Sequence, residues 1–240
     1  MGALERDITS PVESEHQPMA AVQRMRMTFT KEGTARYISH LDLARAVERA
    51  LNRAGLPIAY TQGFNRRPRL SLAAALPLGY TSQAEIADVW LTEPVDPPRF
   101  LARLGLSMPP GITVTAAEEV ELSAPSIQKL LADSSYEVEF LEPIDEDELR
   151  ENVAAVLAAE SLVRERSRRK SDKPQLVDLR PLVMELEVVP RGRGVLLLMR
   201  LVQTASQTGR PDDVLMALGI DPLDTRVRRI ALGFGDAESA

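Results

Sequence analysis

Two hydrophobic periods alternate along this chain, and their order leaves few folds open. Residues 24–31 alternate with Met25, Met27 and Phe29 on one side, the period of a half-buried strand. Gly33 ends that run, and Ser39 with Asp42 three residues on forms a helix-capping pattern. Leu43, Ala46, Val47, Ala50, Leu51 and Ala54 then recur at helical spacing until Gly55 and Pro57 stop them. Strands are expected over 58–62 and 69–75, on either side of a Gly63-Phe-Asn65 turn, and again over 85–91 and 112–120. A short helix over 97–104 begins with proline, where its missing N–H costs little.

The order strand, helix, strand, strand, helix, strand then recurs. Strands are expected over 136–141, 162–168, 176–189, 194–202 and 226–234, with helices over 145–159 and 211–218. The chain therefore reads as α+β: two tandem ferredoxin-like (βαββαβ) units, each an antiparallel sheet with helices on one face. The expected organisation is a disordered leader over 1–22, a first unit over 23–122, a connector over 123–135, a second unit over 136–235 and a tail over 236–240. The connector carries a short helix over 127–131. Aromatics make up only 4%, so the cores should be aliphatic.

Charge is strongly segregated. The net charge of -6 argues against general coating of nucleic acid. Yet residues 24–79 hold ten Arg and Lys against three acids, and residues 164–180 hold seven against three. The rest of the chain is correspondingly acidic, an arrangement that steers anions toward one face.

Several chemistries are excluded by residue usage. With no cysteine there is no disulfide, thiolate nucleophile, cysteine-ligated zinc or iron–sulfur cluster. Two histidines, His16 and His40, are too few for a histidine-rich metal centre, and no metal or cofactor is expected. The acids at 145–148 read as the first turn of a helix, where carboxylates complement the dipole, rather than as a cation site. No apolar run reaches membrane-spanning length and no secretory signal is visible, so a cytoplasmic protein without a membrane partner is expected.

The candidate site is the turn Gln62, Gly63, Phe64, Asn65, Arg66, Arg67, Pro68 and Arg69. Gly63 and Asn65 tolerate positive φ, which turns backbone N–H groups outward. The three arginines can fork onto phosphates, and Phe64 can stack on a base. The structural alternative is a solvated hairpin whose phenylalanine plugs the core. Arg45, Arg49 and Arg53 recur at i, i+4 and i+8, either as a phosphate-tracking face or as a set of salt-bridging residues. Arg168, Arg169, Lys170 and Arg180 offer a second phosphate contact, with a solvated hairpin as the alternative. His40 is a weak candidate for general acid–base catalysis, against local packing at the start of its helix.

Several motifs carry a family resemblance: Ile38-Ser-His-Leu-Asp-Leu43, Glu48-Arg49-Ala50, Arg53-Ala-Gly-Leu-Pro57, Gln62-Gly-Phe-Asn65, Arg67-Pro-Arg69, Leu76-Pro-Leu-Gly79 and Val177-Asp-Leu-Arg-Pro-Leu182. With them the chain resembles the radical-SAM-linked family of unknown function, a bacterial domain fused to or encoded beside radical S-adenosylmethionine proteins. The resemblance implies an accessory role near radical-SAM chemistry or RNA metabolism, with a radical SAM protein as partner. Lacking cysteine, this chain holds no such cluster itself. The leading expectation is a non-catalytic RNA-binding or RNA-recognition accessory protein. The alternatives are an adaptor docking on a radical SAM enzyme, and a metal-free RNA-acting enzyme using His40, the latter by fold-level analogy with CRISPR RNA-processing endonucleases. The sequence sets no oligomeric state.

Overall fold

The computed structural model describes residues 20–166, 175–192 and 194–235. Most of the leader expected over 1–22, the tail over 236–240, and Arg168, Arg169 and Lys170 lie outside the described residues. The chain forms β1 (Gln23–Lys31), α1 (His40–Arg53), β2 (Leu70–Leu72), β3 (Thr81–Leu91), α2 (Pro97–Gly105) and β4 (Ile112–Val120). It continues through α3 (Ile127–Leu130), β5 (Leu131–Phe140), α4 (Glu146–Ala158), β6 (Val163–Arg166) and β7 (Gln175–Asp178). The last elements are β8 (Val183–Arg191), β9 (Gly194–Val202), α5 (Pro211–Ala217) and β10 (Thr225–Phe234).

The result is a mixed α+β architecture on one antiparallel-dominated sheet of eight strands. Strand order is β4-β1-β3-β10-β5-β9-β8, with β2 also beside β3, and β6 and β7 pair as a separate hairpin. The junction is the parallel pair β3–β10, which registers Arg228 with Thr81 and Arg229 with Ser82. It uses the first residues of β3, while β2 pairs with the other end of β3, at Ala87 to Val89. One strand edge thus carries two partners.

Helices and sheet meet through the side chains that the sequence periods pick out. Met25, Met27 and Phe29 of β1 pack with Ala87, Val89 and Leu91 of β3 against Leu43, Val47 and Leu51 of α1 and Phe100 and Leu104 of α2. A second core gathers Tyr136 and Val138 of β5, Leu149 and Val153 of α4, Leu197 and Met199 of β9, and Val214 and Leu215 of α5. Leu76 and Tyr80 belong to this second core although they precede β3. The Leu76-Pro-Leu-Gly79 motif therefore fastens the first half of the chain to the second. Gly79 sits there at φ +89, a conformation that side-chain-bearing residues rarely adopt, and its N–H donates to Arg36 O at 2.8 Å.

Four elements differ from the sequence expectation. The strand expected over 176–189 is divided at Pro181 by a 3-10 turn, Arg180–Leu182, so that β7 pairs with β6 and β8 with β9. Segment 58–62 makes only isolated bridges, Ile58 to Leu91 and Tyr60 to Pro68. Pro57 and Pro68 withhold ladder donors, which shortens this region to a loop with strand-like ends. The strand expected over 69–75 is limited to Leu70–Leu72, because β10 occupies the continuing edge of β3. The connector expected to run to residue 135 gives way at Leu131, where β5 begins. Among the described residues, no helix is long and apolar enough to cross a membrane.

The seam between β3 and β10 buries charge. Arg229 is fully buried and donates to Glu85 Oε1 at 2.9 Å, Ala75 O at 2.8 Å and the Tyr136 hydroxyl at 3.4 Å. Lys31, also buried, has longer contacts to the carbonyls of Ile38 at 3.3 Å and Arg36 at 3.5 Å. Burial pulls the Lys31 ammonium pKa down, and the nearby Glu85 carboxylate opposes that shift. Removing Glu85 leaves two buried cations without their carboxylate. Glu85→Ala is expected to cost about 3–5 kcal/mol in urea denaturation, whereas Glu118→Ala on exposed β4 should stay within about 0.5 kcal/mol.

Candidate functional site

The arginine-bearing turn is a hairpin held at its base by main-chain bonds. Arg69 N–H donates to Ala59 O at 2.7 Å, Ala59 N–H to Trp90 O at 2.8 Å, and Trp90 N–H to Arg69 O at 3.1 Å. Farther out, Thr61 N–H reaches Arg67 O at 2.8 Å, and the Thr61 hydroxyl accepts from Arg67 N–H at 3.1 Å. Gly63 turns the chain at φ +116, while Asn65 does not use the left-handed region that its side chain tolerates. Phe64 does not plug the core. Its ring is wholly in water, at 109% relative exposure, and Gln62, Asn65, Arg66, Arg67 and Arg69 are exposed beside it.

Two side chains outside the turn fix its position. The Arg69 guanidinium lies 4.4 Å from the centre of the Trp90 ring, so Arg69 is both exposed and anchored. The Tyr60 hydroxyl bonds Asn52 Oδ1 at 2.6 Å, tying the hairpin to the last turn of α1.

The α1 stripe divides by role. Ser39 caps the helix: its hydroxyl accepts from Asp42 N–H at 3.1 Å and donates to the Asp42 carboxylate at 2.7 Å. That donated bond, with Arg45 nearby, holds the Asp42 carboxyl below its usual range. Arg45 reaches Asp42 at 3.3 Å across open surface, and Arg49 is exposed. Arg53 instead donates to Ser107 O at 2.6 Å, clasping the end of α2. Arg180 serves similarly in the second half, donating to Leu157 O at 3.2 Å and Val183 O at 2.9 Å, which staples α4 to β8. Arg180 is not brought together with the hairpin cations.

His40 begins α1 half-buried, and its Nδ1 is buried without a hydrogen-bond partner. Burial is the main cause lowering its pKa, opposed by Glu85 and reinforced by Arg229 and Lys31. A neutral imidazole beside one carboxylate and two buried cations can act as a proton acceptor, yet the same arrangement serves as a packed helix start.

Sequence reasoning missed two features. On the sheet face away from α1, Asp88 is fully buried and accepts from Arg24 at 2.5 and 3.1 Å and from Arg26 at 2.8 and 3.1 Å. Arg24 also bonds the carbonyls of Ala124 at 2.6 Å and Pro125 at 2.9 Å, drawing the connector over that face. These cations look like part of a basic surface in sequence, whereas in the structure Arg24 is internal and Arg26 half-buried. The second feature is a cleft of about 390 Å³ between the segment 75–80 and the segment 203–212, walled by Tyr80, Tyr136, Gln203 and Arg210. Tyr80 donates a short hydrogen bond to Asp212, and burial raises its hydroxyl pKa. Tyr80 and Tyr136 lie far in sequence from Gln203 and Arg210, so the cleft had no local signal.

A protein-family model described as "Uncharacterized protein conserved in bacteria (DUF2344)" matches residues 24–211. The chain belongs to this family. The match takes in the capped helix, the arginine hairpin and the β3 side of the seam, but stops short of β10. No curated protein matches this DUF2344 chain. Among solved structures it is similar to a Cbf5–Nop10–Gar1 complex, at TM-score 0.47 and 13% identity over 89% of this chain and 50% of that one. It is also similar to the archaeal box H/ACA sRNP Nop10–Cbf5 complex, at TM-score 0.41 and 12% identity over 90% and 50%. A putative glycine cleavage system transcriptional repressor gives TM-score 0.22 and 10% identity over 89% and 98%. The chain spans half the length of the first two, and no functional assignment rests on any of them.

The lowered His40 pKa has a definite sign. The folded protein disfavours the imidazolium, so this group contributes stability above its unfolded pKa and loses it as pH falls. Thermal denaturation between about pH 7.5 and about pH 5 should show a smaller acid loss in His40→Gln than in the wild type. Identical acid slopes would remove His40 from the account.

Proposed function

We propose that this DUF2344 chain is an RNA-binding accessory protein that carries out no chemistry of its own, and that the Gln62–Arg69 hairpin is its principal contact. The observation that carries the reading is the Phe64 ring, entirely in water among exposed arginines, on a hairpin anchored to the sheet and to α1. An aromatic ring held in solvent at such a tip is a stacking surface, and arginine forks beside it suit phosphate oxygens. Arg45 and Arg49 extend the cationic surface along α1. The ferredoxin-like reading belongs to the same proposal: the orders β4-β1-β3-β2 and β10-β5-β9-β8 support two such units sharing one sheet. The domain division expected over 23–122 and 136–235 belongs to the same proposal, with the second unit's first strand, β5, starting at Leu131. The partner proposed from the family resemblance is a radical SAM protein, on which the RNA-bound chain acts as a recognition subunit.

Gel-shift titration of the full chain with mixed cellular RNA tests the reading, with salt as the second variable. Binding should weaken linearly in log–log form as salt rises. Arg67→Ala should bind about tenfold more weakly and lose about 0.7–0.9 from the salt slope, the effect of one lost phosphate contact. Arg67 is the cleaner probe, because Arg69→Ala also removes the stack on Trp90. RNA that fails to shift at low salt, or an Arg67→Ala chain that binds as wild type does, would overturn the assignment. Recovery of a radical SAM protein from cell extract should persist after nuclease treatment if the contact between the proteins is direct.

A further inference from the structure

The cleft beside Tyr80 does not stand alone. A second one, of about 370 Å³, adjoins it and shares Tyr80 and Asp212 as a common wall. Arg36, Tyr37, Leu78, Leu223 and Arg226 line this second cleft. Each volume falls near the lower end for small-ligand sites, suited to one nucleotide rather than to a large cofactor. Together they make a trench across the seam between the two halves of the sheet.

We infer that this trench takes two consecutive unpaired nucleotides of the RNA strand whose neighbouring part is bound by the arginine hairpin. The inference rests on the RNA-binding reading and adds to it the form of the ligand: a structured RNA with a single-stranded extension. Charge is the first argument. Arg36, Arg210 and Arg226 line the trench, and Asp212, the acid in its wall, already accepts the Tyr80 hydroxyl. Behind Tyr136, buried Arg229 pairs with Glu85 and reaches the Tyr136 hydroxyl, so the tyrosine in the cleft wall is backed by a guanidinium.

The second argument is the exposed apolar surface. Tyr37 is 60% exposed with the Arg36 guanidinium 4.9 Å from its ring centre, and Leu78 and Leu223 are 65% and 84% exposed. An arginine-backed tyrosine flanked by leucines matches the flat, apolar face of a base, and the adjacent arginines match its phosphate. An acidic protein segment would satisfy the cations but would leave the tyrosine platform without a planar partner.

The third argument is placement. Tyr37 stands three residues before α1, and Asn52, in the last turn of α1, is bonded to the hairpin. A helix of 14 residues is about 21 Å long, and Arg45 and Arg49 lie between its ends. A strand leaving the trench reaches the hairpin within about six nucleotides at duplex-like rise.

The test compares a blunt RNA hairpin with the same hairpin carrying an unpaired extension of about six nucleotides, at either end in turn, each titrated against the full chain. One of the extended RNAs should bind about tenfold more tightly than the blunt one. Tyr37→Ala and Arg226→Ala, both at exposed positions, should abolish that preference and leave blunt binding intact, whereas Arg67→Ala should weaken both RNAs. A 4-thiouridine placed in the extension should crosslink to peptides containing Tyr37 or Tyr80. Equal affinity for blunt and extended RNAs, or a preference that survives both trench variants, overturns the trench while leaving the hairpin reading standing. Loss of blunt binding in Arg67→Ala separately supports that hairpin reading. Failure of every RNA to bind overturns both, and a trench crosslink displaced by poly-glutamate as readily as by unlabelled oligonucleotide assigns it to an acidic protein segment instead.

Discussion

The register between the two halves of the sheet depends on the Arg229–Glu85 pair. The parallel ladder between β3 and β10 registers only two residue pairs, too little to define a rigid junction through main-chain bonds alone. Arg229 supplies what is missing, because its fork spans three segments: Glu85 on β3, Ala75 in the preceding loop and Tyr136 on β5. A buried ion pair of this kind adds little net stability compared with an apolar substitute. Its value here is directional. A guanidinium has one arrangement that satisfies a carboxylate and a carbonyl together, so the pair sets the register where apolar packing would tolerate sliding.

The same logic operates on the sheet's opposite face with a different purpose. Asp88 accepts from both Arg24 and Arg26, and Arg24 then reaches the carbonyls of Ala124 and Pro125. A connector that lies over a sheet must satisfy its own backbone groups. Arg24 does this for two of them, and Gln128 of the connector in turn donates to Leu72 O on β2 at 2.6 Å. Ile127 and Leu131 then pack with Ile86, Ala73, Ala74 and Leu232 in a small apolar cluster of their own. The connector is thereby a covering layer rather than a tether, which explains why β5 starts earlier than a linker reading allows.

Legibility in the sequence followed the range of the interaction. The alternation of Met25, Met27 and Phe29 and the helical recurrence of Leu43, Val47, Ala50 and Leu51 are local patterns, and the structure places these residues in one core. The Ser39 cap was equally local, since its donors and acceptors lie within three residues. Strand ends were less visible, because Leu72 leaves the sheet where β10, more than 150 residues later, takes the edge. Buried charge was least visible of all. Nothing near Arg24 or Arg229 in the sequence shows that a carboxylate will stand opposite, so Arg24 and Arg26 counted as surface charge. The Tyr80–Asp212 wall depends on residues from opposite halves and had no sequence signature.

Correcting that count changes what the basic segment is. Of the ten cations between residues 24 and 79, Arg24, Arg26 and Lys31 are bonded within the sheet or its loops, and Arg53 clasps Ser107. The remaining six are not spread evenly. Arg36 stands before α1, Arg45 and Arg49 lie along it, and Arg66, Arg67 and Arg69 sit on the hairpin bonded to its far end. A helix packed on the sheet by Leu43, Val47 and Leu51 does not bend to suit a ligand, so these groups keep a fixed axial spacing. Fixed spacing of cations favours a ligand with its own regular spacing of anions over a flexible acidic chain, which must lose more conformational freedom to match it. On the proposed RNA-binding reading, the packing of α1 on the sheet is what sets the anion spacing that these arginines match.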